Sequence, residues 1–157
     1  MSRIFFEMSL EFRKAESNDL DHSLSMMQDF YAIDNYPFDR EQAKKNFMEF
    51  TSSETLGVFW LVLHNSEIIG YLILTFGYSF EYGGRDAFVD ELYLKEQYRG
   101  RGFGTELLSQ LDIQVISLEI RALHLEVEKA NETGINLYLK NGFLGKNRSL
   151  LTKKITQ

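Results

Sequence analysis

A chain of 157 residues that is 44% hydrophobic and 25% charged is long enough to bury one sizeable core and has the make-up of an ordinary globular domain. Its net charge of -6 disfavours nucleic acid as a partner, since phosphate neutralisation calls for a surplus of Lys and Arg, and it weakly suits a cationic substrate. With no cysteine there is neither disulfide nor thiol nucleophile, and His22, His64 and His124 lack ligand spacing, so no metal is expected.

The pair Phe5-Phe6 is too short for a signal-peptide core and no run approaches transmembrane length, so the expected setting is the cytoplasm, with no membrane partner. Residues 1–9 form a leader of uncertain order. From Leu10 to Ala15 the chain alternates like a first strand, and Ser17-Asn18-Asp19 supplies cap chemistry for a helix whose Leu20, Leu24, Met27 and Tyr31 share one face. Pro37 interrupts the chain. A second helix follows, with Asp39 and Gln42 spaced as a capping box and Ala43, Phe47 and Phe50 on one stripe. The runs Val58–Leu63 and Ile68–Phe76, separated by Asn65-Ser66, make a hairpin whose second strand, almost continuously apolar, is expected at the sheet centre.

Gly83-Gly84 marks a loop before the strand Phe88–Lys95. Next come Gly100, Gly102 and Gly104, and then a helix with Leu107, Leu108, Leu111, Val115 and Leu118 inward and Arg121 at its end. Strand, glycine turn and helix in this order make an anion site. Closely spaced glycines let backbone N–H groups crowd round a phosphate, the helix start adds unpaired N–H groups and a positive dipole end, and Arg99 and Arg101 add charge. The alternating glycines do not fit the dinucleotide spacing G-x-G-x-x-G, and no Gly-Lys-Ser/Thr follows. Ala122–Glu128 alternates as a fifth strand, Asn131 can cap a short helix that Gly142 can end, and Leu150–Ile155 alternates as a closing strand after a compact turn at Lys146-Asn147-Arg148. With no linker, repeat or low-complexity stretch, the chain reads as a single domain over 1–157.

Arg99-x-x-Gly102-x-Gly104 resembles the [Q/R]-x-x-G-x-[G/A] acetyl-CoA signature of the GNAT superfamily of N-acetyltransferases. Asn131-x-x-Gly134-x-x-x-Tyr138-x-x-x-Gly142-Phe143 is similar to that superfamily's N-x-x-A-x-x-x-Y-x-x-x-G-F, with glycine where alanine is usual. The resemblance implies a mixed, mostly antiparallel α/β (α+β) sheet with helices on both faces, and a splayed parallel strand pair, ending near Lys95 and Glu128, that admits acetyl-CoA. It further implies acetyl transfer to a primary amine by direct attack in a ternary complex.

By the same carry-over, the backbone of Leu92 and Leu94 pairs with the pantetheine arm. Amides of Arg99, Gly100, Arg101, Gly102, Phe103, Gly104 and Thr105 hold the pyrophosphate, Asn131 lines the cofactor cleft, and Tyr138 protonates the leaving thiolate. An alkylammonium with a pKa of about 10 must lose a proton before it attacks, which makes Asp90 and Glu91 the candidate proton acceptors. Because neighbouring strand residues point to opposite faces, at most one of the two is expected to face the amine. Asp29, Tyr31, Asp34, Tyr36, Glu81 and Tyr82 are expected around the acceptor and suit a polyamine or aminosugar by charge and cation–π contact. A lysine side chain, a protein N-terminus, or a non-catalytic acyl-CoA sensor role are the alternatives. A homodimer is expected.

Overall fold

The structure is a computed structural model that describes residues 9–145 and 147–156. The expected leader up to residue 8, and Lys146 of the expected compact turn, lie outside the described residues. The chain gathers into two compact units, one running to Glu126 and the other starting at Val127.

In the first unit, β1 (Leu10–Lys14) leads through a 3-10 turn at Ser17–Asp19 into α1 (Leu20–Ile33) and α2 (Arg40–Thr51). Asp19 ties that entry together: its carboxylate takes two hydrogen bonds from Arg13 at 2.9 Å and one from the Glu16 amide at 2.8 Å. Asp39 caps α2, accepting from the Gln42 amide at 3.0 Å. The Gln42 side chain turns instead to Asn46, at 2.8 Å, so only half of the expected capping box forms.

β2 (Gly57–His64), β3 (Glu67–Ser79) and β4 (Gly84–Leu94) make an antiparallel meander, and β5 (Ala122–Leu125) adds in parallel after the crossover through α3 (Phe103–Ser117). The strand order is β1-β2-β3-β4-β5. Asn65 and Ser66 both have left-handed backbone, as the tight turn of a two-residue hairpin demands. β3 is central, and Ile69–Leu74 are buried without a break. One sheet face packs Phe59, Leu61, Tyr71, Ile73 and Tyr93 against Leu24, Met26, Met27, Ala43 and Phe47 of α1 and α2. The alternate residues Val58, Trp60, Val62, Leu72 and Leu74 point the other way, where α3 buries Leu107, Leu108, Leu111 and Val115.

Three boundaries differ from the sequence reading. The third helix stops at Ser117 rather than Arg121, and Glu119 with φ 58° turns the chain toward β5. β5 ends at Leu125 instead of Glu128, because its ladder with β4 ends there. Leu150–Ile155 is no strand: Leu150, Leu151 and Ile155 are 61%, 90% and 76% exposed, and no described strand pairs with them. Alternation supplies a face but not a hydrogen-bonding partner.

The second unit contains α4 (Glu132–Lys140), capped by Asn131. Among the described residues no helix is long and apolar enough to cross a membrane, and no group of three or more His, Asp or Glu could hold a metal ion. Leu61 is wholly buried in the first unit's core. Leu61→Ala is expected to cost about 2–5 kcal/mol of stability by transfer plus cavity formation, read as a lower denaturant midpoint with unchanged slope.

Candidate active site

β4 carries the site, and a bulge in it decides which side chains meet. β3 and β4 are in register from Gly70↔Leu94 to Ile73↔Glu91 and resume at Leu74↔Val89, so Asp90 is an extra residue without a partner. Residues paired across an antiparallel ladder share a face. Glu91 therefore lies with Ile73 on the α1/α2 side, while Val89, two residues earlier, lies with Leu74 on the other. Plain alternation would have put Val89 and Glu91 together. The expectation that Asp90 and Glu91 face opposite ways is thereby overturned, for both line one cavity of about 540 Å³ between α1, α2 and the sheet.

Glu91 is 9% exposed, yet both its oxygens are satisfied: Tyr31 donates to Oε2 at 3.0 Å and Tyr71 to Oε1 at 2.7 Å. Burial pushes its carboxyl above the ordinary range, opposed by the two phenols and reinforced by Asp90. Both phenols are pushed up in turn, first by burial and then by the Glu91 charge, so they remain donors. Asp90 is exposed by area, but the cavity wall takes enough solvent from it to raise its carboxyl too.

The rest of the wall includes Phe38, Asp39, Gln42, Asn46, Glu49, Phe50 and Thr75. With Asp90 and Glu91 the whole wall carries four carboxylates and no Lys, Arg or His. Of the expected acceptor residues only Tyr31 is among them. Tyr31 continues the inward stripe of Leu24 and Met27, whereas Asp29 is two positions past Met27 and turns outward, and Asp34 and Tyr36 are exposed. Tyr78 and Ser79 extend β3, which carries Glu81 and Tyr82 away to the hairpin tip. Gln42, Asn46 and Glu49 were overlooked because they flank the Ala43/Phe47/Phe50 core stripe by one position. A polar flank at helical spacing beside such a stripe is the signal that could have found them.

At its other end β4 loses its parallel neighbour. The ladder with β5 stops at Val89↔Leu125, while β4 runs on to Leu94, so the edge bearing Leu92 and Leu94 has no neighbouring strand on that side within the first unit. A short 3-10 turn, Glu96–Tyr98, then leads into Gly100 with φ 67° and Gly102 with φ 88°, and α3 starts at Phe103. Gly102 is the cap, and the amides of Phe103, Gly104 and Thr105 in the first turn have no intrahelical acceptor. A Cβ on Gly100 would meet nothing within 4 Å, so the space above the turn is open.

Arg99 donates Nε–H to the Leu94 carbonyl at 2.7 Å and lies 5.3 Å from the Tyr93 ring centre. Arg101 packs on Tyr98 and Phe103 and donates to the Gln97 carbonyl. Phe103 is 2% exposed, so its ring is buried away from any ligand. Left-handed glycines, free first-turn amides, two guanidinium groups and an unpaired strand edge fit the pyrophosphate and amide-bearing arm of acetyl-CoA.

In the second unit Asn131 Oδ1 accepts from the Gly134 amide at 2.9 Å, and a Cβ at Gly134 would sit 2.6 Å from Asn131 Nδ2. What crowds Gly134 there is its own cap. Tyr138 is half-buried on α4, with its ring 5.7 Å from that of Phe143.

The family model described as "Acetyltransferase (GNAT) family" matches residues 23–143. This chain belongs to the GNAT acetyltransferase family. It is 35% identical over 83 residues to the uncharacterized N-acetyltransferase YycN of Bacillus subtilis, covering 53% of this chain and 52% of that one. It is 30% identical over 73 residues to the thialysine N-epsilon-acetyltransferase of Mus musculus, 46% of this chain and 42% of that one. The match spans about half or less of these relatives' length. Among solved structures, the integron cassette protein HFX_CASS3 from a salt-marsh metagenome superposes with TM-score 0.80 at 29% identity, covering 93% of this chain and 91% of the other. The five-stranded sheet with its one parallel pair is the GNAT arrangement.

Proposed function

We propose that the protein transfers the acetyl group of acetyl-CoA to a primary amine, and that the acceptor is a small cationic amine such as a polyamine or aminosugar. One observation carries this reading. The same strand presents two carboxylates to an aromatic, base-free cavity and then runs with an open edge into the left-handed glycine turn. Acetyl-CoA supplies the activated thioester; Leu92, Leu94 and the amides of Gly100 to Thr105 would hold it, with Arg99 and Arg101 beside them.

The residues of the cavity do the rest. Four acids and the Tyr31, Phe38, Phe50 and Phe59 rings favour an ammonium ion by charge and cation–π attraction. Asp90, the carboxylate not already held by two phenols, takes the ammonium proton through a water, and burial, by raising its pKa, makes it a better proton acceptor than an ordinary carboxylate. Glu91, fixed by Tyr31 and Tyr71, orients the cation. Attack is direct within the ternary complex, so proximity supplies much of the rate. The thialysine acetyltransferase among the relatives is consistent with an aminoalkyl acceptor. The test is thiol release from acetyl-CoA on adding a panel of polyamines, aminosugars, lysine peptides and simple alkylamines; no release with any amine would leave the acyl-CoA sensor reading in its stead.

Tyr138 is the proposed acid toward the leaving thiolate, on the strength of the family motif. Tyr138→Phe keeps the ring and removes only the hydroxyl. Turnover is expected to fall on the order of a hundredfold with acetyl-CoA affinity unchanged in calorimetry. Wild-type turnover in this variant would return Tyr138 to a packing role.

A further inference from the structure

The sheet face that carries Glu91 continues beyond the cavity. On β3, Ile73, Thr75 and Gly77 share that face, and their partners on β4 are Glu91, Phe88 and Asp86. Thr75 lines the cavity, so Phe88 adjoins it directly. His124 pairs with Phe88 across the parallel ladder and brings its ring to 5.1 Å from that of Phe88 and 5.4 Å from that of Tyr82. Its Nε2 lies 3.1 Å from Asp86 Oδ2. The other Asp86 oxygen leans over Gly77, where a Cβ would come within 2.6 Å of it and push the carboxylate aside. Phe88 is 40% exposed, although Tyr71, Ile73 and Tyr93 on the same face are buried. Arg85 lies over the Phe76 ring, whose partner Ala87 puts it on the opposite face, while the Arg121 side chain lies over Gly84, at the far end of the Asp86 face.

We propose that Asp86, Phe88, Tyr82 and His124 form a second cation subsite, which holds the far ammonium of a linear diamine or polyamine whose near amine lies at Asp90 and Glu91. The inference rests on the amine-acetyltransferase reading and narrows its substrate class. A carboxylate that holds His124, with the Phe88 and Tyr82 rings packed on that imidazole, favours a cation over an anion or an alkyl end. The spacing fits as well. From Ile73 to Gly77 is four residues of regular strand, roughly 13 Å. The nine bonds between the nitrogens of 1,8-diaminooctane span roughly 11 Å at the reach of an extended chain, and hydrogen bonds at the two ends make up the difference.

Calorimetric titration of 1,8-diaminooctane and n-octylamine into the intact protein tests this, because the two probes differ only in the far ammonium. Wild type is expected to bind the diamine about tenfold more tightly, Asp86→Asn to lose that preference with octylamine affinity unchanged, and Phe88→Leu to weaken it about threefold. Equal affinity of wild type for the two probes, or a preference that survives Asp86→Asn, overturns the subsite. Thiol release measured with the same amines reads the acetyltransferase activity separately. A binding preference without turnover would sink the activity and keep the subsite; turnover without preference would do the reverse.

Discussion

Gly102→Val is expected to abolish acetyl-CoA binding measurable by calorimetry, a loss of a hundredfold or more, while circular dichroism still reports a folded protein. The substitution acts twice. With φ at 88°, a β-branched residue is strained at this position, at a cost of roughly 1–3 kcal/mol. Its side chain also projects at the cap of α3, where at the proposed site the pyrophosphate would approach the amides of Phe103, Gly104 and Thr105. Gly100→Ala is the milder companion: its Cβ meets nothing in the protein, and although alanine at φ 67° costs about 1–2 kcal/mol of stability, a loss of affinity in the folded variant reports on the ligand's own approach. If Gly102→Val is folded and binds acetyl-CoA as tightly as wild type, the glycine turn is not the pyrophosphate site.

Asp90→Asn is expected to lower turnover by about a hundredfold to ten-thousandfold at neutral pH and to recover as the solution becomes alkaline. The sign follows from which form works. Only the carboxylate accepts a proton, and burial lifts the pKa of Asp90, so wild-type activity falls as pH drops through a value above the ordinary carboxylate range. The variant has no such group. Its rate follows the free-amine fraction instead, rising about tenfold per pH unit toward the amine pKa of about 10. Glu91→Gln separates the roles. If Glu91 orients the cation, the variant raises the Michaelis constant and hardly alters the maximal rate, the mark of lost uniform binding. Profiles that match wild type in both variants would leave substrate ionisation and bulk water as the only base.

The sequence by itself determined the parts whose signal is local. Gly100, Gly102 and the α3 start, the Asn65-Ser66 hairpin, the apolar run of β3 and the caps at Asp39 and Asn131 each stand as read, because a backbone that needs φ > 0, or an amide that needs a cap, names its residue within a few positions. The two motifs were enough to identify the family. What could not be read is everything that depends on a partner from elsewhere in the chain. Alternation marked a face on Leu150–Ile155 but supplied no neighbouring strand, and it carried β5 three residues past the end of its ladder. It also turned Asp90 and Glu91 away from one another. Only the pairing of β3 with β4 decided otherwise: the register slips by one residue at Asp90, and a slip of one exchanges the faces of a strand. That slip brings Glu91 under Tyr31 and Tyr71, puts it on one cavity with Asp90, and adds it to the face of Phe88 and Asp86, from which alternation alone would have excluded it.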